Sequence, residues 1–235
     1  MTKKIAIVFG GSRGIGKASV DALAADGFDV ALTYTSTAPE TSGSVRAYKA
    51  DITNPVDVAR VIADASKDFG GAPTCIVANA GINVPPAPMA SFDPENFRNL
   101  VEVNIVGAFN VLQEAAKSVT DGGTIIALTT SLVRFAAPGL GPYSATKAAV
   151  ECLVRSMSKE LAGRGVRVNA VAPGPVDTDL FRSGKDEAAI QRSAGMSPLN
   201  RVGQPEEVGN VVAFLASDKS SWIDGQIVQT NGGMV

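Results

Sequence analysis

Ile5-Ala6-Ile7-Val8-Phe9 is a run without one polar side chain, and it ends on Gly10-Gly11-Ser12-Arg13-Gly14-Ile15-Gly16. An uninterrupted apolar run of this length reads as a strand buried on both faces, as in parallel sheets covered by helices. From Lys17 to Ala25 the pattern turns helical. Strand, glycine turn and helix start in immediate succession constrain the fold more than any other feature. They present free backbone N–H groups and the positive end of a helix dipole, which suits a diphosphate. Taken alone, the same glycines also fit a tight turn that binds nothing. The spacing is G-x-x-x-G-x-G through Gly10, Gly14 and Gly16, because Ser12 and Ser19 stand where the G-x-G-x-x-G fingerprint needs glycine.

Short apolar runs at Phe28–Tyr34, Val45–Ala50, Thr74–Ala78, Thr124–Leu128, Val166–Ala172 and Gln226–Gln229 predict further strands. Helical patterns fall between them: Val56–Phe69 behind Asn54-Pro55, a long stretch from Pro94 to Val119, Tyr143 to Gly163, and Pro205 to Ala216 with Glu206 and Glu207 in its first turn. Unbroken alternation without a linker or internal repeat predicts one α/β domain over residues 1–235, a Rossmann-type doubly wound parallel sheet. The stretch Thr35–Ser44 is too short and too poorly patterned for a full helix, so the crossover between strands 2 and 3 is expected to be shortened. Residues 178–200, with Gly184, Gly195 and Pro198, read as a mobile lid over the strand ends.

Composition removes several function classes. The net charge of −2 offers no basic field for nucleic acid or an acidic membrane surface. The basic start Met1-Thr2-Lys3-Lys4 leads into only five apolar residues, too few for a signal h-region or a membrane span, so a cytoplasmic protein is expected. Cys75 and Cys152 sit apart in apolar stretches and are expected to pack as small hydrophobes. There is no histidine among the 235 residues, which excludes a Ser-His-Asp triad, an HExxH zinc site and a His general base. No metal is expected. Acid–base chemistry has to come from Tyr, Lys, Asp or Glu.

Tyr143-Ser144-Ala145-Thr146-Lys147 supplies such a pair, since positions i and i+4 share one helix face. An ammonium fixed beside a phenol is expected to lower the Tyr pKa from about 10 toward neutrality and suit it to proton transfer. In isolation the pair reads as an ordinary surface contact; its company elsewhere in the chain changes that. Asn104, on the apolar stripe of the long helix, is either a structural amide or a group that orients water. Thr129-Thr130-Ser131 leave the carboxyl end of a strand, the edge where ligands sit in open α/β sheets. At the end of strand 2 the dinucleotide folds place an acid against the ribose of NAD, but here stand Thr35, Ser36 and Thr37, with Arg13 in the glycine loop. That set favours a 2′-phosphate, hence NADP(H), with NAD(H) as the alternative. Asp51 either meets an adenine amino group or caps a turn.

Together these residues resemble the short-chain dehydrogenase/reductases of the compact type that includes 3-oxoacyl-carrier-protein reductases. The resemblance spans nearly the whole chain: Gly10, Gly14 and Gly16 match the cofactor loop, Asp51 an adenine contact, Asn79-Ala80-Gly81 the N-A-G motif, and Pro173-Gly174 the nicotinamide-side loop. It implies a catalytic set of Asn104, Ser131, Tyr143 and Lys147. It also implies cofactor contacts from Ser12, Arg13, Ile15, Thr35, Ser36, Ile52, Asn79, Ala80, Gly81, Tyr143, Lys147, Val176 and Thr178. Tyr143 would be the general acid, Lys147 would tune it and bind the nicotinamide ribose, Ser131 would hold the substrate oxygen, and Asn104 a relay water. Four positions depart from the pattern. Phe9 replaces a Thr before the first glycine, and the family spacing to Tyr143 points to Thr130, although aligning Ser-Leu-Val selects Ser131. The second crossover is short, and Arg134 stands where glycine is usual, either facing an anionic substrate or lying solvated at the rim.

The implied activity is hydride transfer between a nicotinamide and a small carbonyl or alcohol, in a homo-oligomer (a dimer or tetramer) built through the two long helices. A carrier-protein substrate is disfavoured by Thr120-Asp121-Gly122-Gly123, which lacks the basic residues that would attract it. The competing class is a non-catalytic dinucleotide or nucleotide sensor on the same fold. The lid offers Leu180, Phe181, Met196 and Leu199 as apolar substrate contacts.

Overall fold

β1 (Ile5–Phe9) is buried at every residue and runs directly into α1 (Gly14–Ala25) in the computed structural model, which describes residues 4–235. Met1, Thr2 and Lys3 of the basic start lie outside the described residues. β2 (Asp29–Tyr34) returns parallel to β1 with Ala31 opposite Ile7. Residues 35–44 then reach β3 (Val45–Lys49) without a helix, as the shortened crossover predicts. α2 (Pro55–Phe69) starts where Asn54 Oδ1 accepts the Val56 N–H at 3.0 Å and Pro55 fills the first turn, and it stops at Gly70 in a left-handed conformation. β4 (Cys75–Ala78) pairs with the other side of β1, Ile76 opposite Ile7.

The long helix expected over 94–119 is continuous but not uniform. α3 (Pro94–Val101) passes through a π-helical stretch, Glu102–Gly107, into α4 (Ala108–Ser118). A wider turn of this kind shifts the helical phase, and here it carries Asn104 to full burial. β5 (Thr124–Leu128), α5 (Leu132–Phe135), α6 (Gly141–Leu161) and β6 (Arg167–Pro173) follow. Two short helices, α7 (Asp179–Arg182) and α8 (Glu187–Ala194), occupy the segment expected as a lid, before α9 (Pro205–Ala216) and β7 (Ile227–Thr230).

The sheet of the described residues has the order β3-β2-β1-β4-β5-β6-β7 and every pairing is parallel. The chain winds outward from β1 to one edge, crosses back to β4 and winds to the other. All carboxyl ends therefore share one edge, and the winding reverses between β1 and β4. One face carries α2, α4 and α6 through Val58, Ile62, Val111, Leu112, Val150 and Val154. The other carries α1 and α9 through Val20, Leu23, Val208, Val212 and Leu215. Both faces are closed to water, which is why the strands read as continuous apolar runs. The cysteines divide: Cys75 is buried as expected, its thiol pushed up to about 11 by burial, whereas Cys152 lies exposed on α6. The apolar neighbours of Cys152 in sequence concealed that a helix gives adjacent residues different faces.

Candidate active site

The glycine loop is held from three strands at once. Ala80 N–H donates to the Phe9 carbonyl at 2.8 Å, and Asn79 Nδ2 donates to the Gly10 carbonyl at 2.8 Å. Gly16 admits no side chain, since a Cβ there would stand 2.0 Å from the Gly10 carbonyl oxygen and 2.5 Å from Asn79 Nδ2. The hydroxyl lost at Phe9 is supplied from β2, because Thr33 Oγ1 accepts the Gly10 N–H at 2.8 Å and the Thr33 carbonyl accepts the Gly11 N–H at 3.1 Å. Thr33 is a residue the sequence reading passed over. Its only signal is a buried hydroxyl in an otherwise apolar strand.

The start of α1 is open. Arg13 precedes it without a side-chain cap, and no acid stands in the first turn, whereas α2, α3 and α8 are capped by Asn54, Asp93 and Asp186. Arg13 is exposed and pairs with no acid among the described residues, and Thr35 and Ser36 are exposed at the end of β2. Asp51 caps its own turn, its Oδ1 accepting both the backbone N–H and the hydroxyl of Thr53 at 2.9 and 2.8 Å. It also lines a cleft of about 310 Å³ with Thr35, Lys49, Ala50, Asp57 and Arg60, on the side where the crossover helix is missing. The Ile52 side chain is buried in the core, so that residue meets a ligand only through its backbone, whose carbonyl accepts from Asn110 Nδ2 at 3.0 Å. After β6, Val176 is buried and Thr178 caps α7, its Oγ1 accepting the Phe181 N–H at 3.1 Å. The Thr178 methyl would lie 3.1 Å from a Cβ on Gly14, so this loop faces the glycine loop.

Lys147 reaches from α6 to the same edge. It is 6% exposed, and its Nζ donates to the Leu128 carbonyl at 3.0 Å. A Cβ on Gly81 would stand 3.0 Å from Asn104 Oδ1 and 3.2 Å from Lys147 Nζ, so the N-A-G turn, the π-helical stretch and α6 converge at one glycine. Asn104 grips Ile82 from both sides. Its Oδ1 accepts the Ile82 N–H and its Nδ2 donates to the Ile82 carbonyl, each at 2.9 Å, while Nδ2 also donates to Thr146 Oγ1 at 3.2 Å. The amide is thus engaged as a structural clamp, and both of its N–H donors are taken. These bonds match the reading of Asn104 as a structural amide.

In the free chain the Tyr143 phenol shifts upward, opposite to the direction expected beside a fixed ammonium. Burial pushes the Tyr143 phenol up to about 12 and the Lys147 ammonium down to about 8. Desolvation disfavours the charged form of each, and the ammonium is turned onto the Leu128 carbonyl rather than onto the phenol. Tyr143 Oη bonds to no protein group among the described residues and is left for something else.

Ser131 and Thr130 differ in how their hydroxyls are engaged. Ser131 is 0% exposed; its single hydroxyl proton has acceptors at the Ala172 carbonyl (2.8 Å) and Gln229 Oε1 (2.9 Å), while Asn231 Nδ2 donates to its oxygen at 2.9 Å. Those partners come from β6, β7 and the residue just after β7, and they engage the Ser131 proton within the protein. The adjacent Thr130 accepts the Leu132 N–H at 3.3 Å, and its own proton has no acceptor among the described residues. Arg134 lies exposed on α5, where it helps to offset the burial that raises the pKa of Glu151. No helix among the described residues is long and apolar enough to cross a membrane.

The family profile described as Enoyl-(Acyl carrier protein) reductase matches residues 10–235. A short-chain type dehydrogenase/reductase of Picea abies is 39% identical over 251 residues, covering 99% of this chain and 92% of the relative. An Arabidopsis thaliana protein named NADPH-dependent aldehyde reductase-like protein, chloroplastic, is 39% identical over 255 residues, covering 99% and 94%. A blue fluorescent protein from a metagenomic library, solved in complex with NADPH, superposes with a TM-score of 0.88 at 30% identity, covering 99% of this chain and 98% of that one. With the glycine loop, the N-A-G turn and the Tyr143–Lys147 helix converging on one sheet edge, the chain belongs to the short-chain dehydrogenase/reductases, a family of NAD(P)-dependent oxidoreductases.

Proposed function

We propose that the protein is an NADPH-dependent reductase of small ketones or aldehydes, with Tyr143 as the general acid. The observation that carries this is the site at Gly81, where a dry Lys147 and an uncommitted Tyr143 hydroxyl stand on one helix face beside the ligand edge of the sheet. The residues present fit NADP(H). An uncapped helix start and the Gly10–Gly16 loop suit the diphosphate, and an unpaired Arg13 beside the hydroxyl-bearing end of β2 suits a 2′-phosphate in place of a ribose hydroxyl. The NADPH named for the Arabidopsis relative and bound by the blue fluorescent protein supports the same choice.

Gly10, Ser12, Arg13, Gly14, Ile15, Gly16, Thr35 and Ser36 would hold the diphosphate and adenosine half, with Asp51 and the Ile52 backbone at the adenine cleft. Asn79, Ala80, Gly81, Pro173, Gly174, Val176 and Thr178 would wall the nicotinamide half, and Lys147 would bind its ribose. When bound, the cofactor supplies the hydride that converts a carbonyl carbon to an alcohol. Tyr143 gives its proton to the carbonyl oxygen, Thr130 donates a hydrogen bond to the same oxygen in the role first assigned to Ser131, and Asn104 fixes the loop they face.

The test is NADPH and NADH oxidation against diketones, 3-oxo esters, quinones and aldehydes, with Thr130→Ala and Ser131→Ala run beside the parent chain. Turnover with NADPH is expected, lost by about 10²-fold in Thr130→Ala, as for other single donors to a reacting oxygen. Ser131→Ala should instead lower the melting temperature. Tight NADPH binding without turnover on any substrate would move the weight to the sensor. The reverse pattern in the two variants would restore Ser131.

Assembly into a homo-oligomer belongs to the same reading, and it is supported by Phe97, Val106 and Phe109, exposed along the long helix, and by Trp222, 99% exposed beside β7. Light scattering at micromolar concentration should give a dimer or tetramer; a monomer would refute it.

A further inference from the structure

We propose that Thr146 is a positioning residue for the reaction, holding Tyr143 in register with the loop after β4 through hydrogen bonds on both sides of its hydroxyl. This rests on the reading of Tyr143 as proton donor. Thr146 is 1% exposed and lies three residues after Tyr143 and one before Lys147. Its Oγ1 donates to the Tyr143 carbonyl at 2.7 Å and accepts from Asn104 Nδ2 at 3.2 Å. The direction of these bonds is forced. A carbonyl oxygen only accepts, so the single hydroxyl proton goes to Tyr143, and the lone pair is left to the amide. Asn104 spends its remaining groups on the Ile82 N–H and carbonyl. An unbroken chain of hydrogen bonds, buried at its centre, therefore runs from Ile82 through Asn104 and Thr146 to the backbone of Tyr143.

The turn that carries Tyr143 needs such a tether. α6 starts at Gly141-Pro142, and Leu140 before it makes no side-chain cap, so the first turn lacks the usual anchor. Lys147 ties the helix to β5 through the Leu128 carbonyl, and Thr146 ties it to the π-helical stretch. Between these two ties the phenol is aimed without any bond of its own to the protein. Displacement of a reacting group by about 1 Å can cost on the order of 10²-fold in rate, so the aim carries weight.

Thr146→Val keeps the shape and removes the hydroxyl, and Thr146→Ser keeps the hydroxyl and removes the methyl. The valine variant is expected to lose about 10- to 100-fold in kcat with the NADPH KM unchanged, while the serine variant stays within about threefold of the parent. Should the valine variant not fold, Thr146→Ala is read in its place. Full kcat in the valine variant, or equal loss in valine and serine, overturns the proposal, because then the hydroxyl does nothing or only the volume matters. Tyr143→Phe run in parallel separates the two levels. Turnover surviving there removes the Tyr143 reading and this inference with it, whereas turnover lost there but intact in Thr146→Val removes this inference alone.

Discussion

Tyr143→Phe is expected to cut kcat for carbonyl reduction by about 10²–10⁴-fold, the usual worth of a positioned general acid, while the protein folds and still binds NADPH. The substitution keeps the ring and removes one hydroxyl. That hydroxyl has no protein partner among the described residues, so its removal leaves no buried donor or acceptor stranded. The melting temperature should therefore stay level or rise slightly. Because burial pushes the phenol up to about 12, the free protein carries Tyr143 as a neutral proton donor throughout the neutral range. The reductive direction needs that form; oxidation of an alcohol needs the phenolate. At neutral pH the parent enzyme should then be the better reductase, and its alcohol oxidation should climb steadily as the pH is raised. Steady-state kinetics in both directions, with the melting curve of the variant, check all of this. Wild-type turnover in Tyr143→Phe would assign the proton to another group.

Much of the architecture was legible because buried parallel strands announce themselves as apolar runs and helices by their period. The one missing crossover helix could be read from the lack of any period over 35–44. What could not be read depends on partners far away in sequence. Ser131 and Thr130 are adjacent hydroxyls at a strand end, and nothing local separates them. In the fold they differ through Gln229 and Asn231, which lie 98 and 100 residues on and bond to Ser131. Asn104 was conspicuous as a polar residue on an apolar stripe, but a uniform 3.6-residue period hides the wider turn that buries it against Ile82. The direction of the Tyr143 shift in the free chain was hidden for a related reason. Spacing on a helix brings an ammonium near a phenol, yet the depth of the site decides whether attraction or desolvation governs, and depth belongs to the folded chain.

The same burial makes Lys147 costly. Lys147→Met is expected to abolish turnover and yet raise stability at pH 7 by about 1–3 kcal/mol, the range implied by a lysine whose folded pKa falls from 10.5 to about 8. The folded state disfavours the ammonium, so below pH 8, where the side chain is charged in both the folded and unfolded chain, the penalty is fully present. As the pH rises from about 8 to 10.5 the folded lysine is neutral while the unfolded one still holds its proton, and the stability of the parent climbs. Above that window both states are neutral and the penalty is gone. The methionine variant should therefore lead the parent most at pH 7 and lose its lead by about pH 10.5. The hydrogen bond from Nζ to the Leu128 carbonyl works against this gain, which is why the lower end of the range is included. Denaturant unfolding of both proteins at pH 7 and pH 10 decides it. A variant weaker than the parent at pH 7, by the same margin as at pH 10, would mean that the Leu128 bond outweighs desolvation, and Lys147 would then be a structural tie rather than a charge held at a cost in stability for the reaction.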